Sequence, residues 1–222
     1  APRNTMPYTL TKQATASLQP LFVTNVYYGR PIVRFDGADD QLLWSPDVTA
    51  RTIFVVNSVR TGVKNYGGMI GKNGADDGIR RNSTENGEWR HGSGASADDF
   101  TYPGGSIFTV NGNDTKVAPT NFWHIVGAQR GGSSMNINCL GWYYGGREWK
   151  GDLLEIIIYN RFLTTNEFNE IGAYLAQKYQ IDSAFPAPGT SYVWVQVPAI
   201  SGTNNYIWAY WGGAGLTNPP VY

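Results

Sequence analysis

The amino-acid sequence predicts an all-β fold, a sandwich of two antiparallel sheets with one helix towards its C-terminal end. Charged residues make up only 15% of the 222 residues, whereas aromatic residues make up 14% and there are 27 glycines. An average soluble protein has about 25% charged residues, so this composition indicates many strands and tight turns. Short runs of β-branched and aromatic residues recur between turn sequences, and one segment has a strong helix pattern.

Five segments are predicted strands because β-branched and aromatic residues dominate them and Gly, Asn, Asp or Pro residues bound them. These segments are residues 31–35, 51–59, 106–111, 121–128 and 153–159. The turns are predicted from Gly, Asn, Asp and Ser at residues 37–40, 71–78, 92–99, 111–114 and 130–134. Strands without intervening helices favour a sandwich over an α/β fold. The predicted core side chains are Phe35, Phe54, Val56, Trp123, Ile125, Ile156 and Ile158.

One helix is predicted near residues 165 to 179. Thr164 and Glu167 match a capping box, in which the threonine hydroxyl accepts a hydrogen bond from the Glu167 amide and the carboxylate reaches back. Apolar side chains then recur at helical spacing on one face, namely Phe168, Ile171, Leu175 and Tyr179. We expect this face to pack against the sandwich.

The Pro-Ala-Pro-Gly segment at residues 186–189 indicates a linker. We therefore predict a sandwich domain over residues 1–183 and a linker with a β-strand tail over residues 184–222. In the tail, residues 192–197 and 205–211 alternate between two faces and predict a β-hairpin.

An isolated hairpin is marginally stable in water, so the tail strands must pair with or pack on a larger sheet. We expect the tail to contact a second subunit through its large aromatic side chains, which are Trp194, Tyr206, Trp208, Tyr210 and Trp211. The alternative is that the tail packs on its own sandwich. Other copies of the chain or neighbouring surface-protein domains are the expected partners.

The balance of charges limits the possible partners further. The sequence has 17 Lys and Arg and 17 Asp and Glu, so its formal net charge is zero, and no basic surface is predicted that would attract nucleic acid. A net charge near zero also permits self-association, because identical molecules do not repel one another.

No apolar run approaches the about 18 residues of a membrane span. Cys139 is the only cysteine, which excludes an intrachain disulfide, and it is predicted to be a buried small hydrophobe.

Several of these segments together resemble a known family. The sequence GRPIVRFDG at residues 29–37, with Asp40 and Leu42 after it, is similar to the opening strand of bacterial laminin-G-like domains. Residues 122–126, residues 149–161 and the capped helix are similar to the closing strands and terminal helix of that family. The resemblance implies a concanavalin-A-like jelly roll of two packed antiparallel sheets and an extracellular or cell-surface location.

The tail has a second resemblance. Residues 193–198 and 206–212 are similar to the end of an uncharacterised domain often found beside laminin-G-like domains in bacterial surface proteins. Only the closing part of that domain is matched, and the segment before Tyr8 is shorter than in laminin-G-like domains. The chain also starts at Ala1 without an initiator Met. These features indicate a processed product or an excised segment whose two ends are truncated.

Some relatives of this fold are glucanases, which need two or three carboxylates on one face of a strand. The nearest candidate is Glu155, and its expected neighbours on the same face, Leu153 and Ile157, are aliphatic. His124 is expected to have a structural and not a catalytic role within a strand. His91 is expected to lie in a solvent-exposed Gly-rich loop. The sequence therefore predicts no catalytic residues and no enzyme.

Asp36, Asp39 and Asp40 are weak candidates for a calcium site, because hard carboxylate oxygens are the ligands that calcium prefers. Asp76 with Asp77, or Asn111, Asn113 and Asp114, offer similar oxygens. The alternative, which we favour, is that these side chains form Asx turns and need no metal. No cofactor other than calcium is predicted.

Trp142, Tyr143 and Tyr144 lie between glycines and are candidates for a platform on which a sugar ring stacks. Ordinary packing between the sheets is the alternative. The sequence thus predicts a non-catalytic extracellular module for surface assembly or adhesion that self-associates through its tail. The second hypothesis is a carbohydrate-binding module of a glycan-degrading system.

Overall fold

The computed structural model describes residues 9–11, 13–75, 77–81, 89–93, 106–131, 134–141 and 146–186. These residues form two six-stranded antiparallel sheets and one α-helix, which confirms the predicted sandwich. Sheet A consists of β1 (Thr9–Thr11), β4 (Leu42–Ala50), β6 (Gly68–Gly71), β7 (Asp77–Arg81), β8 (Trp89–Ser93) and β11 (Met135–Leu140). Sheet B consists of β2 (Leu21–Tyr27), β3 (Arg30–Asp36), β5 (Thr52–Val59), β9 (Ile107–Val110), β10 (Trp123–Gln129) and β12 (Lys150–Tyr159).

The strand order decides which strands lie at the edges. In sheet A the order is β1-β4-β11-β6-β7-β8, and in sheet B it is β2-β3-β12-β5-β10-β9. Strand β5 lies inside sheet B and pairs with both β12 and β10. Strands β2 and β9 therefore lie at opposite edges of the same sheet.

The main hydrophobic core lies between the two sheets. Ile53 and Val55 of β5 belong to it, together with Val126 of β10 and Ile137 of β11. Alternate residues of a strand point to opposite faces, so Phe54 and Val56 lie on the outer face of sheet B. They belong to a second hydrophobic cluster, which includes residues of the helix. A strand that is apolar on both faces is typical of the middle of a sheet that is covered on both sides.

The helix α1 (Thr165–Tyr179) covers the outer face of sheet B and has the predicted bounds. The capping box is present, because the Glu167 amide donates to Thr164 Oγ1 at 3.3 Å and the Thr164 amide donates to Glu167 Oε2 at 2.9 Å. Phe168 is buried against Phe54, with 4.6 Å between the ring centroids. Leu175 and Tyr179 are also buried, so the predicted apolar face does pack against the sandwich.

All seven predicted core side chains contribute to one of the two clusters. Phe35, Ile156 and Ile158 pack between the sheets. The other four, which are Phe54, Val56, Trp123 and Ile125, pack in the cluster under the helix. The prediction named the right residues without separating the two layers, because a strand pattern alone does not show which face meets which partner.

The described chain ends at the β9 edge of sheet B. The Ala184 amide donates to the carbonyl oxygen of Asn111, directly after β9, at 2.7 Å. The Phe185 ring is buried beside Gly172 of the helix, where a Cβ atom would lie 2.3 Å from the ring. The packed segment thus extends to Phe185, beyond the predicted domain boundary at residue 183. Residues 187–222, with the predicted hairpin, lie outside the described residues.

In the part of the chain that the structure describes, no helix combines the length and the apolar composition needed to cross a membrane.

Candidate binding surfaces

The edge strand β2 has an unusually apolar exposed surface. Leu21 is 64% exposed and Phe22 is 69% exposed, and Tyr28 in the following turn is 67% exposed. Val26 is exposed as well, and no side chain of β2 is buried. At the opposite edge, by contrast, three of the four side chains of β9 are buried. Contiguous exposed apolar residues of this kind are typical of an interaction surface.

The backbone of β2 is paired on one side. It pairs with β3 from Leu21 to Val23, and the register shifts before Tyr27 pairs with Arg30. Within the described part of the chain, no other strand pairs with β2. An edge strand with unpaired amide and carbonyl groups is a template for a further strand. The side chain of Phe22 lies on the same face as its partner Val33, which packs against the inter-sheet core, so both faces of the edge are apolar.

The hairpin of β2 and β3 is held firmly against the rest of the sandwich. Arg34 binds Asp152 of β12 with two hydrogen bonds of 2.8 Å, and this interaction raises the pKa of the Arg34 guanidinium. At the other end of β3, Arg30 donates to the carbonyl oxygen of Lys178 at 2.9 Å. The Tyr27 ring packs on Trp123, with 4.9 Å between centroids. The edge is therefore a preformed surface.

Sequence reasoning missed β2. Its sequence, LFVTNVY, is rich in β-branched and aromatic residues, and this composition could have identified it as a strand. It was missed because the turn-forming residue Asn25, which has a φ of 58°, interrupts the run and disfavours a strand prediction.

The acidic turn after β3 brings three carboxylates together. The oxygen atoms of Asp36, Asp39 and Asp40 lie within 4.8 Å of one another. The Asp36 amide donates to Asp40 Oδ2 and the Ala38 amide donates to Asp36 Oδ1, both at 2.7 Å. Burial raises the pKa of Asp40, and the neighbouring carboxylates raise it further, whereas the bond from the Asp36 amide lowers it. The bond from the Ala38 amide is that of an Asx turn, and the bond from the Asp36 amide closes the same turn through Asp40. Calcium binding stays a prediction.

Two of the other calcium candidates, Asp77 and Asn111, have protein partners. Asp77 forms an ion pair with Arg130 at 3.2 Å. The side chain of Asn111 accepts a hydrogen bond from the Ile125 amide at 2.7 Å, and this bond positions the turn after β9. Asp76 lies outside the described residues.

The aromatic triplet Trp142 to Tyr144 lies outside the described residues, but Gly141 and Gly146 on either side of residues 142–145 are described. The Trp149 amide donates to the carbonyl oxygen of Gly141 at 2.7 Å, which joins the residues on the two sides of this segment. Gly141 has a φ of 83°, and a Cβ atom there would lie 2.6 Å from the carbonyl oxygen of Asp40. Gly141, which directly precedes the aromatic triplet, is thus adjacent to the acidic turn, so the fold brings together two regions that are far apart in the sequence.

The predicted assembly residues, Trp194, Tyr206, Trp208, Tyr210 and Trp211, also lie outside the described residues.

Comparison with protein-family models, curated proteins and solved structures found no match. The laminin-G-like resemblance therefore stays a prediction, and a functional proposal must rest on the geometry of the chain itself.

The strand β12 contains a bulge that changes the environment of Glu155. The prediction that Leu153 and Glu155 share a face is wrong, because Leu153 pairs with Asn57 and Glu155 pairs with the next residue of β5, Val56. The extra residue places Leu153 in the inter-sheet core and Glu155 on the outer face. There, Glu155 accepts hydrogen bonds of 2.8 and 3.0 Å from Lys178 of the helix. Its described partner is thus a lysine, and not the second carboxylate that glycoside hydrolysis needs.

The two histidines lie on strands. His124 of β10 is buried beside Asn57, and its Nδ1 lies 3.1 Å from the carbonyl oxygen of Phe122. Burial and, to a smaller extent, the charge of Arg81 lower the pKa of His124 to about 4, although the bond to Phe122 raises it. The ring is therefore neutral and inaccessible at neutral pH. The prediction that His91 lies in a loop is wrong, because it lies on β8.

Proposed function

We propose that this chain is a non-catalytic extracellular module for surface assembly or adhesion, and that it self-associates through its C-terminal tail. The observation that supports this proposal is strand β2, which is exposed, apolar on both faces and paired on one side. Proteins that function as monomers usually protect such an edge with charged residues, proline or a covering segment. On β2, apolar residues instead occupy three of the five exposed positions, namely Leu21, Phe22 and Val26, and the other two are Thr24 and Asn25.

The zero net charge and the resemblance to bacterial laminin-G-like domains are consistent with this function. A protein without net charge lacks the long-range repulsion that opposes association of identical molecules. The resemblance supports the extracellular location, and the ion pair of Glu155 with Lys178 is consistent with a chain that is not a glucanase.

We expect the full chain to form assemblies whose size grows with protein concentration, because burial of apolar edges drives association. Sedimentation velocity and light scattering over a hundredfold concentration range measure this. Deletion of residues 190–222 should shift the particles to monomers while the circular dichroism of the sandwich persists. Assemblies of unchanged size after the deletion would show that the tail has no intersubunit role, and a full chain that is monomeric throughout would contradict the proposed function.

Carbohydrate binding is the second candidate function, and the contact between Gly141 and Asp40 favours it. This contact places Gly141, which directly precedes Trp142, Tyr143 and Tyr144, beside the acidic turn. Aromatic rings that stack on a sugar, next to carboxylates that bind its hydroxyl groups directly or through calcium, are a suitable combination for a glycan.

We expect the full chain, if this second function is right, to be retained on an insoluble polysaccharide or on spots of a glycan array. The variant Trp142→Ala should lose retention, because it removes a stacking surface. Tyr174→Ala is the matched control, since Tyr174 is an exposed aromatic residue on the helix. Equal retention of both variants, or no retention of the unmodified chain with or without calcium, would exclude this loop as a glycan site.

A further inference from the structure

We propose that Asn73 is a self-modification site, at which the side-chain amide is lost without an enzyme and a carboxylate appears in the turn between β6 and β7. In this reaction the main-chain nitrogen of the following residue attacks the side-chain carbonyl carbon of the asparagine. Glycine in the following position favours the attack, because it has no Cβ atom and restricts the backbone least. The sequence has three such Asn-Gly pairs, which begin at Asn73, Asn86 and Asn111. Asn86 lies outside the described residues.

The reaction at Asn73 needs water as its only co-reactant. A bond forms between the Gly74 nitrogen and Asn73 Cγ, and the bond from Cγ to Nδ2 breaks. The leaving nitrogen takes up the proton of the Gly74 amide and departs as ammonia. Water then opens the five-membered ring at either carbonyl group, which gives aspartate or isoaspartate at residue 73. An NH2 group is thus replaced by OH, so the chain becomes about 1 Da heavier, and the new carboxyl group is ionised at neutral pH.

The turn at Asn73 leaves the reacting groups unrestrained. Gly74 is exposed and has a φ of 80°, and a Cβ atom there would meet no atom within 4 Å. Among the described residues, no hydrogen bond holds the Asn73 side chain or the Gly74 amide. Both groups can therefore reach a near-attack geometry, in which the reacting atoms are about 3–3.5 Å apart.

The residues next to the pair are held in place. The Asn73 amide donates to Asn138 Oδ1 of β11 at 2.7 Å, and the Ala75 amide donates to the carbonyl oxygen of Lys72 at 3.1 Å. These bonds fix the two ends of the turn. The attack therefore needs a local change at Asn73 and Gly74 and no unfolding of sheet A.

The pair at Asn111 is the internal control, because hydrogen bonds hold its reacting groups. The Asn111 side chain accepts from the Ile125 amide at 2.7 Å, and its own amide donates to the carbonyl oxygen of Ile125 at 2.9 Å. The Asn111 carbonyl oxygen accepts from the Ala184 amide at 2.7 Å. A Cβ atom on Gly112 would lie 2.4 Å from the Phe185 nitrogen, so the Gly112 backbone is packed. These contacts must break before the attack at Asn111, which slows it.

Conversion of Asn73 changes both the charge and the turn. Lys and Arg balance Asp and Glu at 17 each, so one further carboxylate changes the formal net charge from zero to −1. The new carboxylate directly follows Lys72, whose ammonium group pairs with Asp47, and it competes for that ammonium group. Isoaspartate also adds one main-chain atom between Lys72 and Ala75, which opposes the hydrogen bond between them.

The test incubates the folded full chain at mildly alkaline pH, where the Gly74 amide loses its proton more readily. Peptide mapping by mass spectrometry measures the conversion of each Asn-Gly pair with time. The chain unfolded in guanidinium chloride gives the reference rate for each pair. We expect folding to slow Asn111 at least about tenfold, whereas Asn73 should stay within about threefold of its unfolded rate.

The variant Asn73→Gln retains a side-chain amide but would have to form a six-membered ring, which closes much more slowly. On isoelectric focusing it should lack the share of the acidic species that peptide mapping assigns to residue 73. Equal slowing of Asn73 and Asn111 in the folded chain would show that the fold does not select between them. An Asn73 that converts only in the unfolded chain would show that the turn blocks the attack. Either result overturns this proposal without bearing on assembly or glycan binding, which are measured separately.

Discussion

Phe54→Ala should lower the free energy of unfolding by about 3–5 kcal/mol, which is the range for truncating a fully buried phenylalanine. Phe54 is inaccessible to solvent and packs on Phe168 of the helix. Its removal leaves a cavity between sheet B and α1, and the small residue nearby, Gly127, cannot fill it. Denaturant unfolding followed by circular dichroism measures the loss.

Two further variants separate this effect from a general sensitivity to mutation. Ile156→Ala tests the other layer, since Ile156 packs between the sheets, and it should cost about 2–3 kcal/mol because the residue is only partly buried. Phe122→Ala removes an exposed ring and should change stability by less than about 0.5 kcal/mol. Unchanged melting of both Phe54→Ala and Ile156→Ala would contradict the described register.

The protein should lose about 3 kcal/mol of stability between pH 6.5 and pH 4 through His124 alone. The pKa of His124 is lowered from 6.5 to about 4 in the folded chain, and each unit corresponds to about 1.4 kcal/mol. Between these two values the unfolded chain binds one more proton than the folded chain, so stability falls as the pH falls. The contribution is fully present above pH 6.5 and levels off below about pH 4.

The variant His124→Gln isolates this effect, because glutamine does not titrate. The unfolding free energy of both proteins, measured at half-unit steps from pH 7 to pH 4, should differ in slope across this window, with the steeper slope in the unmodified chain. Parallel slopes, or an NMR titration of His124 with an ordinary pKa near 6.5, would contradict the burial of the ring.

The parts of the fold that were predicted correctly depend on local patterns. The capping box at Thr164 and the apolar spacing after it define the helix within one short segment, so its bounds could be predicted. The central strand β5 was recognised because Thr52–Val59 is mostly β-branched or aromatic, and the structure shows that all eight residues are buried. Strand β6 was missed because Gly68–Gly71 has only two non-glycine residues. Strand β4 contains Pro46, which disfavours a strand prediction.

The candidate surfaces depend on long-range arrangement, which a local pattern does not contain. The exposure of Phe22 follows from the position of β2 at the end of the sheet order, and nothing in the sequence of β2 specifies that position. The contact of Gly141 with Asp40 joins two distant turns. One extra residue in β12 decides whether Leu153 and Glu155 lie on the same face of the sheet. Regular alternation along a strand would place both on one face, whereas the bulge places them on opposite faces.

The burial of Phe185 has a mechanical consequence. A force applied to the chain beyond Pro186 first has to pull the Phe185 ring out from beside Gly172 and break the hydrogen bond from Ala184 to Asn111. Tension on the tail is therefore transmitted to the β9 edge of sheet B and to the middle of α1 at Gly172 before it reaches the C-terminal turn of the helix at Tyr179. Forced detachment of this anchor is governed by the rate at which the ring escapes, so its resistance increases with the speed of pulling. Within the described part of the chain, the packed ring of Phe185 thus protects the C-terminal turn of the helix from a force on the tail.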